Sequence, residues 1–426
     1  MSDGENMGSR ESILVIGGGI SGITTTIEAA EVGYDVFLLE KSPFLGGRVI
    51  RMNEYFPKLC PPYCGLEMNF KRIKANPRIQ IFTQAEVESI SGQEGDFDVT
   101  INVAPRLVND NCTACGKCIE VCPVERPNDI NFGLDQTKAI YLPNLMAYPM
   151  QYVIDNEYCS GTECAKCVSA CEYDAINLDM PARKLALKVG AIVAATGWDP
   201  YDATKIGNLH FGEYPNVITN VMMERLASSN GPTDGRILRP SDQKEIGSIA
   251  FAQCAGSRDE NHRQYCSAVC CLASLKQALY VNEQYPDAKI FIFYIDIRAP
   301  GYLEDFYRRV QDNENVSLIK GKVARIAEDP ETKDLIVEAE DTTSGKMVKE
   351  KVEMVVLATG IVPTTEETKI PAEISYDNYG FITSEVPGVY AAGCSKRPAD
   401  VATSVRDATG AALKAIQSVA GGGKNG

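Results

Sequence analysis

The run Ser12-Ile-Leu-Val-Ile16, followed at once by Gly17-Gly-Gly-Ile-Ser-Gly22, decides the fold. The apolar residues read as a short strand, and Gly17, Gly19 and Gly22 then take the GxGxxG spacing. The first glycine permits a tight turn, and the second lets backbone approach a pyrophosphate. The third lets the next helix pack closely, with its N-terminus aimed at the phosphates. A helical stretch runs to about Val32, Gly33 stops it, and Tyr34–Glu40 reads as a second strand. Glu40 closes that strand where an acid can bind ribose hydroxyls.

Taken alone, the glycine pattern is a weak signal, because a plain strand–helix turn can also use it. Its company argues for a flavin. Gly46-Gly47-Arg48 follows Glu40, offering backbone and a guanidinium to the same ligand. Two apolar strands end in Ala-Thr-Gly, at Ala195-Thr196-Gly197 and Ala358-Thr359-Gly360, and Val389-Tyr-Ala-Ala-Gly393 follows near the C-terminus. Together these resemble the two-domain flavin reductases of the thioredoxin reductase type, over residues 11–103 and 184–420. The fold class is therefore α/β: a two-domain, Rossmann-like FAD/NAD(P)-type flavoprotein. FAD is the expected cofactor, with Gly17, Gly19, Gly22, Glu40, Gly47, Arg48, Thr196, Gly197 and Gly393 at its site.

Between these parts the chain changes character. Arg78 to Val103 is β-rich, with alternation in Phe97-Asp-Val-Thr-Ile-Asn-Val103, and a strand resumes over Leu185–Thr196. Residues 105–182 are rich in Cys, Pro and Asn and read as an insertion into a β-meander. Cys112, Cys115, Cys118 and Cys122, followed by Pro123, give the C-x2-C-x2-C-x3-C-P run of bacterial ferredoxins. Zinc is the competing occupant, and the proline and spacing argue against it. Cys159, Cys164, Cys167 and Cys171 form a second run with a longer first gap and Glu172 in place of proline. Two [4Fe–4S] clusters are expected, one on Cys112, Cys115, Cys118 and Cys171, the other on Cys159, Cys164, Cys167 and Cys122. The fold thus includes an inserted ferredoxin-like 2[4Fe–4S] module.

The expected segments are 11–104 for the first part of the FAD domain, 105–183 for the ferredoxin-like module and 184–245 for the second part of the FAD domain. A unit like an NAD domain follows over 246–353, and the FAD domain closes over 354–420. In the fourth segment the strand Ser248–Gln253 leads into Cys254-Ala-Gly256-Ser-Arg258 without a GxGxxG, so no NAD(P)H site is expected. Cys254, Cys266, Cys270 and Cys271 stand instead where the nucleotide would lie. They read as packing thiols or as ligands, and the gathering of four favours coordination. Cys60 and Cys64 are open to three readings: ligands, a dithiol near the flavin, or loop thiols. Cys394 reads as packing.

At this point the residues resemble a specific family, the flavin-bearing A-type subunits of heterodisulfide reductase. The likeness includes Gln253-Cys-Ala-Gly-Ser-Arg258, Tyr265-Cys-Ser-Ala-Val-Cys-Cys271, and Ala392-Gly-Cys394 with Pro398 and Asp400. The resemblance implies a further [4Fe–4S] cluster on Cys254, Cys266, Cys270 and Cys271, and it sets Lys276 near the flavin N5, where a charge biases the flavin's electronics. The bland reading of Lys276 is a solvated helix lysine. The compact chain most resembles the A-type subunit of the quinone-interacting membrane-bound oxidoreductase (Qmo) of sulfate reducers. That implies a cytoplasmic oxidoreductase component joined to the membrane through partners. The implied partners are a second flavin/Fe–S subunit, a haem b membrane subunit exchanging electrons with menaquinol, and adenylylsulfate reductase as acceptor. A second copy of the chain is also a candidate partner. The alternatives are a heterodisulfide reductase-type subunit, electron-bifurcating in one version, and a direct thiol/disulfide reductase using Cys60 and Cys64. A zinc-binding scaffold with an empty flavin fold is the non-catalytic alternative.

Bulk properties agree with this reading. The chain has 426 residues, enough for two or three domains, and a net charge of −15, which argues against nucleic acid. Fifteen cysteines in a chain without a signal-peptide pattern point to metal before disulfides. Only His210 and His262 are present, so imidazole chemistry has little to work with. No apolar run reaches bilayer length, and Met1–Arg10 and Gly421–Gly426 read as loose tails.

Overall fold

The computed structural model describes residues 7–421. The described residues fall into two compact units, one of residues 7–50, 63–198 and 363–421, the other of 51–62 and 199–362.

The first unit is organised by a five-stranded sheet. Its strand order is Val389–Ala391, Ala191–Ala194, Ile13–Ile16, Val36–Glu40, Ile79–Thr83. The neighbours run parallel wherever their pairing is defined. Ile13, Leu14 and Val15 are wholly buried because they lie in the middle of this sheet, covered by the helices Ile20–Glu31 and Val401–Gly421. A second sheet is the meander Ala85–Gln93, Asp96–Val103, Arg183–Val189. Met7–Gly8 pairs parallel with its far edge at Leu187 and Lys188, so these two residues are not part of a loose tail. Gly421 likewise ends the last helix, while residues 1–6 and 422–426 lie outside the described residues. The stretch expected as one strand over Leu185–Thr196 is two. The chain leaves the meander at Val189 and enters the parallel sheet at Ala191, with the Gly190 amide bonding to Ser12 O at 2.9 Å.

The insertion leaves and rejoins the meander in register, since Val103 pairs with Arg183. Inside it, two short helices, Lys117–Glu120 and Lys166–Ala170, pack together. Each is entered through left-handed backbone, at Gly116 (φ 89°) and at Ala165 (φ 43°). This shared turn lets Cys-Gly-Lys-Cys and Cys-Ala-Lys-Cys present both of their thiols on one side. The module's core joins Leu107, Val108, Ile140, Tyr152, Ile154 and Ile176 to Cys118 and Cys167.

The second unit holds another five-stranded parallel sheet, ordered Val217–Thr219, Met354–Thr359, Ser248–Ala255, Lys289–Tyr294, Val316–Lys320. The helices Asn220–Ala227, Cys270–Gln284 and Leu303–Gln311 pack on it, and a three-stranded antiparallel sheet spans Val323–Val352. Residues 199–245 and 354–362, read from sequence as flavin-domain segments, pack within this unit. The cause is strand pairing. Val217–Thr219 pairs with Val355–Leu357, and that strand in turn lies against Ile249–Ala252. Among the described residues, no helix is long and apolar enough to cross a membrane.

Candidate flavin and iron–sulfur sites

In the first unit the glycine loop is built as a cradle. A side chain at Gly22 would collide with the Gly17 carbonyl, and one at Gly47 would come within 2.8 Å of the Gly19 Cα. The two loops are tied by Gly46 N donating to Gly18 O at 2.8 Å. Glu40 fixes the cradle from behind: its carboxylate accepts from the backbone of Gly18 and Ser42, both at 2.6 Å. Helix Ile20–Glu31 starts at Gly19 with no side-chain cap and no acidic residue in its first turn. Its first amides and its dipole therefore face the cradle, suited to a phosphate. Thr196 offers a buried hydroxyl without a hydrogen-bond partner, beside the left-handed Gly197 (φ 75°). Arg48 donates to Trp198 O at 3.1 Å and lies 5.5 Å from the Trp198 ring. Gly393 donates to Asp407 at 2.8 Å, just ahead of the last helix. An orphaned hydroxyl, a glycine cradle and an uncapped helix end fit a bound dinucleotide such as FAD.

The ferredoxin-like module brings its eight cysteines together as three-plus-one sets. One cavity is lined by Cys112, Cys115, Cys118 and the distant Cys171, with Val108, Ile140 and Tyr152. The other is lined by Cys159, Cys164, Cys167 and Cys122, with Pro123 and Ile154. These are the two sets expected from spacing, and the longer first gap does not disperse the second one. Burial, reinforced by neighbouring thiols, pushes Cys118 up to about 12 and raises Cys167. Such thiols stay protonated unless a metal takes the proton's place. Among the described residues no three Cys, His, Asp or Glu side chains converge on a single ion's position. The thiols ring apolar cavities.

The second unit holds a third cysteine cavity, lined by Cys254, Cys266, Cys270 and Cys271 together with Arg258, Asp296 and Arg298. Strand Ser248–Ala255 supplies Cys254 through a bulge, since Ala252 pairs with Leu357 and Ala255 with Thr359. Cys254 itself is left-handed (φ 58°). The extra residue turns its thiol towards the other three. Burial raises Cys254 to about 11, and Cys270 well above its ordinary value. Sequence reading missed Asp296 and Arg298, which come from the loop after the next strand. Their one signal is position, at the carboxyl end of a parallel strand.

Lys276 is not a solvated helix lysine. It is 1% exposed, and its ammonium reaches Glu224 Oε1 at 2.9 Å and donates to Glu54 O at 2.5 Å, within the second unit. Gln277 and Tyr280 on the same helix also donate to Glu224. Cys60 and Cys64 are exposed, whereas Cys394 is buried and directs its thiol to Ala399 O at 3.4 Å.

Comparison with known proteins fits this geometry. Residues 12–53 match the FAD dependent oxidoreductase family, and residues 105–125 match the 4Fe-4S binding domain family. The chain is similar to the A-type subunits of heterodisulfide reductases. It is 39% identical over 418 residues to the iron-sulfur A-type subunit of the CoB–CoM heterodisulfide reductase of Methanocaldococcus jannaschii, covering 94% of this chain and 63% of that one. A corresponding protein of Methanopyrus kandleri is 40% identical over 425 residues, covering 96% and 64%. The A-type subunit of the H2:CoB–CoM heterodisulfide,ferredoxin reductase of Methanothermobacter marburgensis is 37% identical over 420 residues, covering 95% and 63%. The chain thus spans a little under two thirds of these relatives. Among solved structures, Lactococcus lactis thioredoxin reductase aligns with a TM-score of 0.54 at 14% identity, covering 96% of this chain and 99% of that one. The T. acidophilum thioredoxin reductase gives 0.52 at 15%, covering 96% and 98%. At such identities they share the fold alone. The chain thus carries a segment of the FAD dependent oxidoreductase type and one of the 4Fe-4S binding type.

Proposed function

We propose that this chain is a relay component of a redox complex, passing electrons between partner proteins through one FAD and three [4Fe–4S] clusters. The observation that carries it is the presence, in one chain, of a dinucleotide cradle and three separate cavities each ringed by four thiols. FAD, when bound, exchanges electrons in pairs or singly, and so joins two-electron donors to one-electron clusters. The chain's part is positional. Gly17, Gly19, Gly22 and the first amides of helix Ile20–Glu31 would hold the pyrophosphate, and Glu40 the ribose. Gly47, Arg48, Thr196, Gly197 and Gly393 would line the rest. Cys112, Cys115, Cys118 with Cys171, and Cys159, Cys164, Cys167 with Cys122, would each hold a cluster, and Cys254, Cys266, Cys270 and Cys271 a third. Lys276, ion-paired with Glu224, is the proposed cation towards the flavin N5.

The assembly is proposed at two levels. The relatives' names support a heterodisulfide reductase-type complex of several subunits. The finer reading is a Qmo-type complex, in which a haem b membrane subunit exchanges electrons with menaquinol and adenylylsulfate reductase is the cytoplasmic acceptor. The net charge of −15 suits partners with basic patches. Affinity purification from the native cell, with identification of co-purifying chains, separates the two. Haem-bearing and cluster-bearing partners support the Qmo type, and a hydrogenase or thiol–disulfide partner supports the other. Purification as a lone chain, free of iron and flavin, would overturn both.

A further inference from the structure

Arg106 is a buried cation that the described residues leave without a counter-ion. It stands at the start of the inserted module, 8% exposed. One Nη donates to the Gln151 carbonyl at 3.3 Å and the Tyr152 carbonyl at 3.5 Å, inside the module. The other donates to the Pro43 carbonyl and, at 3.0 Å, to Thr83 Oγ1, both on the flavin-binding part of the same unit. All four acceptors are uncharged, and no carboxylate pairs with it. A buried guanidinium satisfied only by neutral groups carries a desolvation cost that Coulomb attraction does not offset. Such a charge is retained where a resident anion supplies the missing attraction.

The surroundings say where that anion lies. Two residues on from Arg106, Val108 lines the cavity of Cys112, Cys115, Cys118 and Cys171, and so does Tyr152, whose carbonyl Arg106 holds. The Tyr152 hydroxyl comes within 3.6 Å of where a side chain at Gly116 would begin, between Cys115 and Cys118. Burial lowers Arg106 to about 10, and the charges of Tyr141, Cys112 and Asp110 oppose that fall. Four thiolates around a 4Fe–4S core are net negative and gain a further charge on reduction, so a fixed cation nearby favours the reduced form.

We infer that Arg106 sets the potential of the cluster site formed by Cys112, Cys115, Cys118 and Cys171, while tying the module to the flavin-binding part. The inference rests on that cavity being a cluster site, and the experiment separates the two. The full chain, purified anaerobically with its iron and flavin, is titrated by EPR for the clusters and by visible absorbance for the flavin, as wild type, Arg106→Gln and Arg106→Lys. The expected result is that one module cluster becomes harder to reduce in R106Q and returns towards its wild-type potential in R106K. The other clusters and the flavin stay where they were. A cluster lost in R106Q but kept at its native potential in R106K also supports the charge. Unmoved cluster potentials in an iron-replete R106Q overturn the inference. Iron lost from both variants would make Arg106 a mechanical clamp, and a shift confined to the flavin would assign its charge to the dinucleotide. Both results overturn it too. Wild-type protein lacking the module's iron would instead refute the cluster reading itself.

Discussion

Removing Glu224 tests the buried network of the second unit most severely. Its carboxylate accepts from Lys276 Nζ at 2.9 Å, Gln277 Nε2 at 2.7 Å, Tyr280 OH at 3.5 Å and the Asn53 amide at 3.0 Å. In Glu224→Ala the Lys276 ammonium, 1% exposed, keeps only the Glu54 carbonyl, and Tyr280, the Asn53 amide and Gln277 each lose a bond, Gln277 keeping the Asn220 carbonyl. Breaking a buried ion pair from one side costs about 3–5 kcal/mol. Lys276→Met should cost less, about 1–3 kcal/mol, because the carboxylate left behind still accepts three hydrogen bonds. The asymmetry is the prediction. Hydrogen exchange of the helix Cys270–Gln284 measures it locally, without assuming that the whole chain unfolds in one step. Protection should fall by roughly 10²–10³·⁵ in E224A, at about 1.4 kcal/mol per decade, and by clearly less in K276M. A loss under about 1 kcal/mol in E224A, or equal losses in both, would show that water reaches the ammonium and that the pair is not a buried unit.

Three shorter predictions follow. Ala165 sits in left-handed backbone at φ 43° where its counterpart is Gly116, so Ala165→Gly should stabilise the module by about 1 kcal/mol; a denaturation midpoint that falls would contradict the strain. Replacing Cys270 and Cys271 together with serine should remove about one cluster's iron and leave FAD bound, so unchanged iron content would sink the third-cluster assignment. The Lys322 ammonium beside Asp259 holds that carboxyl below its usual range. Because the folded value is the lower one, the pair's stabilisation is complete above the unfolded carboxylate value of about 4 and disappears as pH falls through the folded value. Asp259→Asn should therefore lower the melting temperature at pH 7 and make no difference at strongly acidic pH.

How much of this was legible depends on how local the signal is. The glycine loop and the strands on either side of it lie within one βαβ unit, so period and spacing carry them. The cysteine sets were legible because each run supplies three thiols in sequence to one cavity and lends its fourth across the module. The insertion showed itself because both of its ends read as strand, and Val103 and Arg183 do pair. Strand partnership was not legible. Nothing in Val217–Thr219 says that it will bond to Val355–Leu357, because long-range strand pairing is chosen by the assembled core and not by either segment. The burial of Lys276 was not legible either, because Glu224 and the Glu54 carbonyl reach it from elsewhere in the chain. Asp296 and Arg298 are marked only by their place after a parallel strand.

The strand Ser248–Ala255 shows why one strand end is not expected to serve both a cysteine cavity and a dinucleotide. In its bulge Gln253 and Cys254 together occupy the place of one residue of the neighbouring strand, and this turns the Cys254 thiol into the cavity with Cys266, Cys270 and Cys271. Gly256 follows with φ 76°, yet the space in front of it is filled by the ring of Tyr201, into which any side chain there would run. That ring is itself held, its hydroxyl 2.8 Å from His262 Nδ1 and its backbone amide on Gly360 O at 2.9 Å. A polar cavity of about 290 Å³ remains alongside, lined by Gln253, Asp259, His262 and Lys322, so there is room for a small ligand. A glycine-lined approach for a pyrophosphate is missing. Added NADH should therefore leave the flavin of the isolated chain oxidised. Rapid bleaching at 450 nm would mean that Tyr201 leaves Gly256, and the argument from the bulge would fall with it.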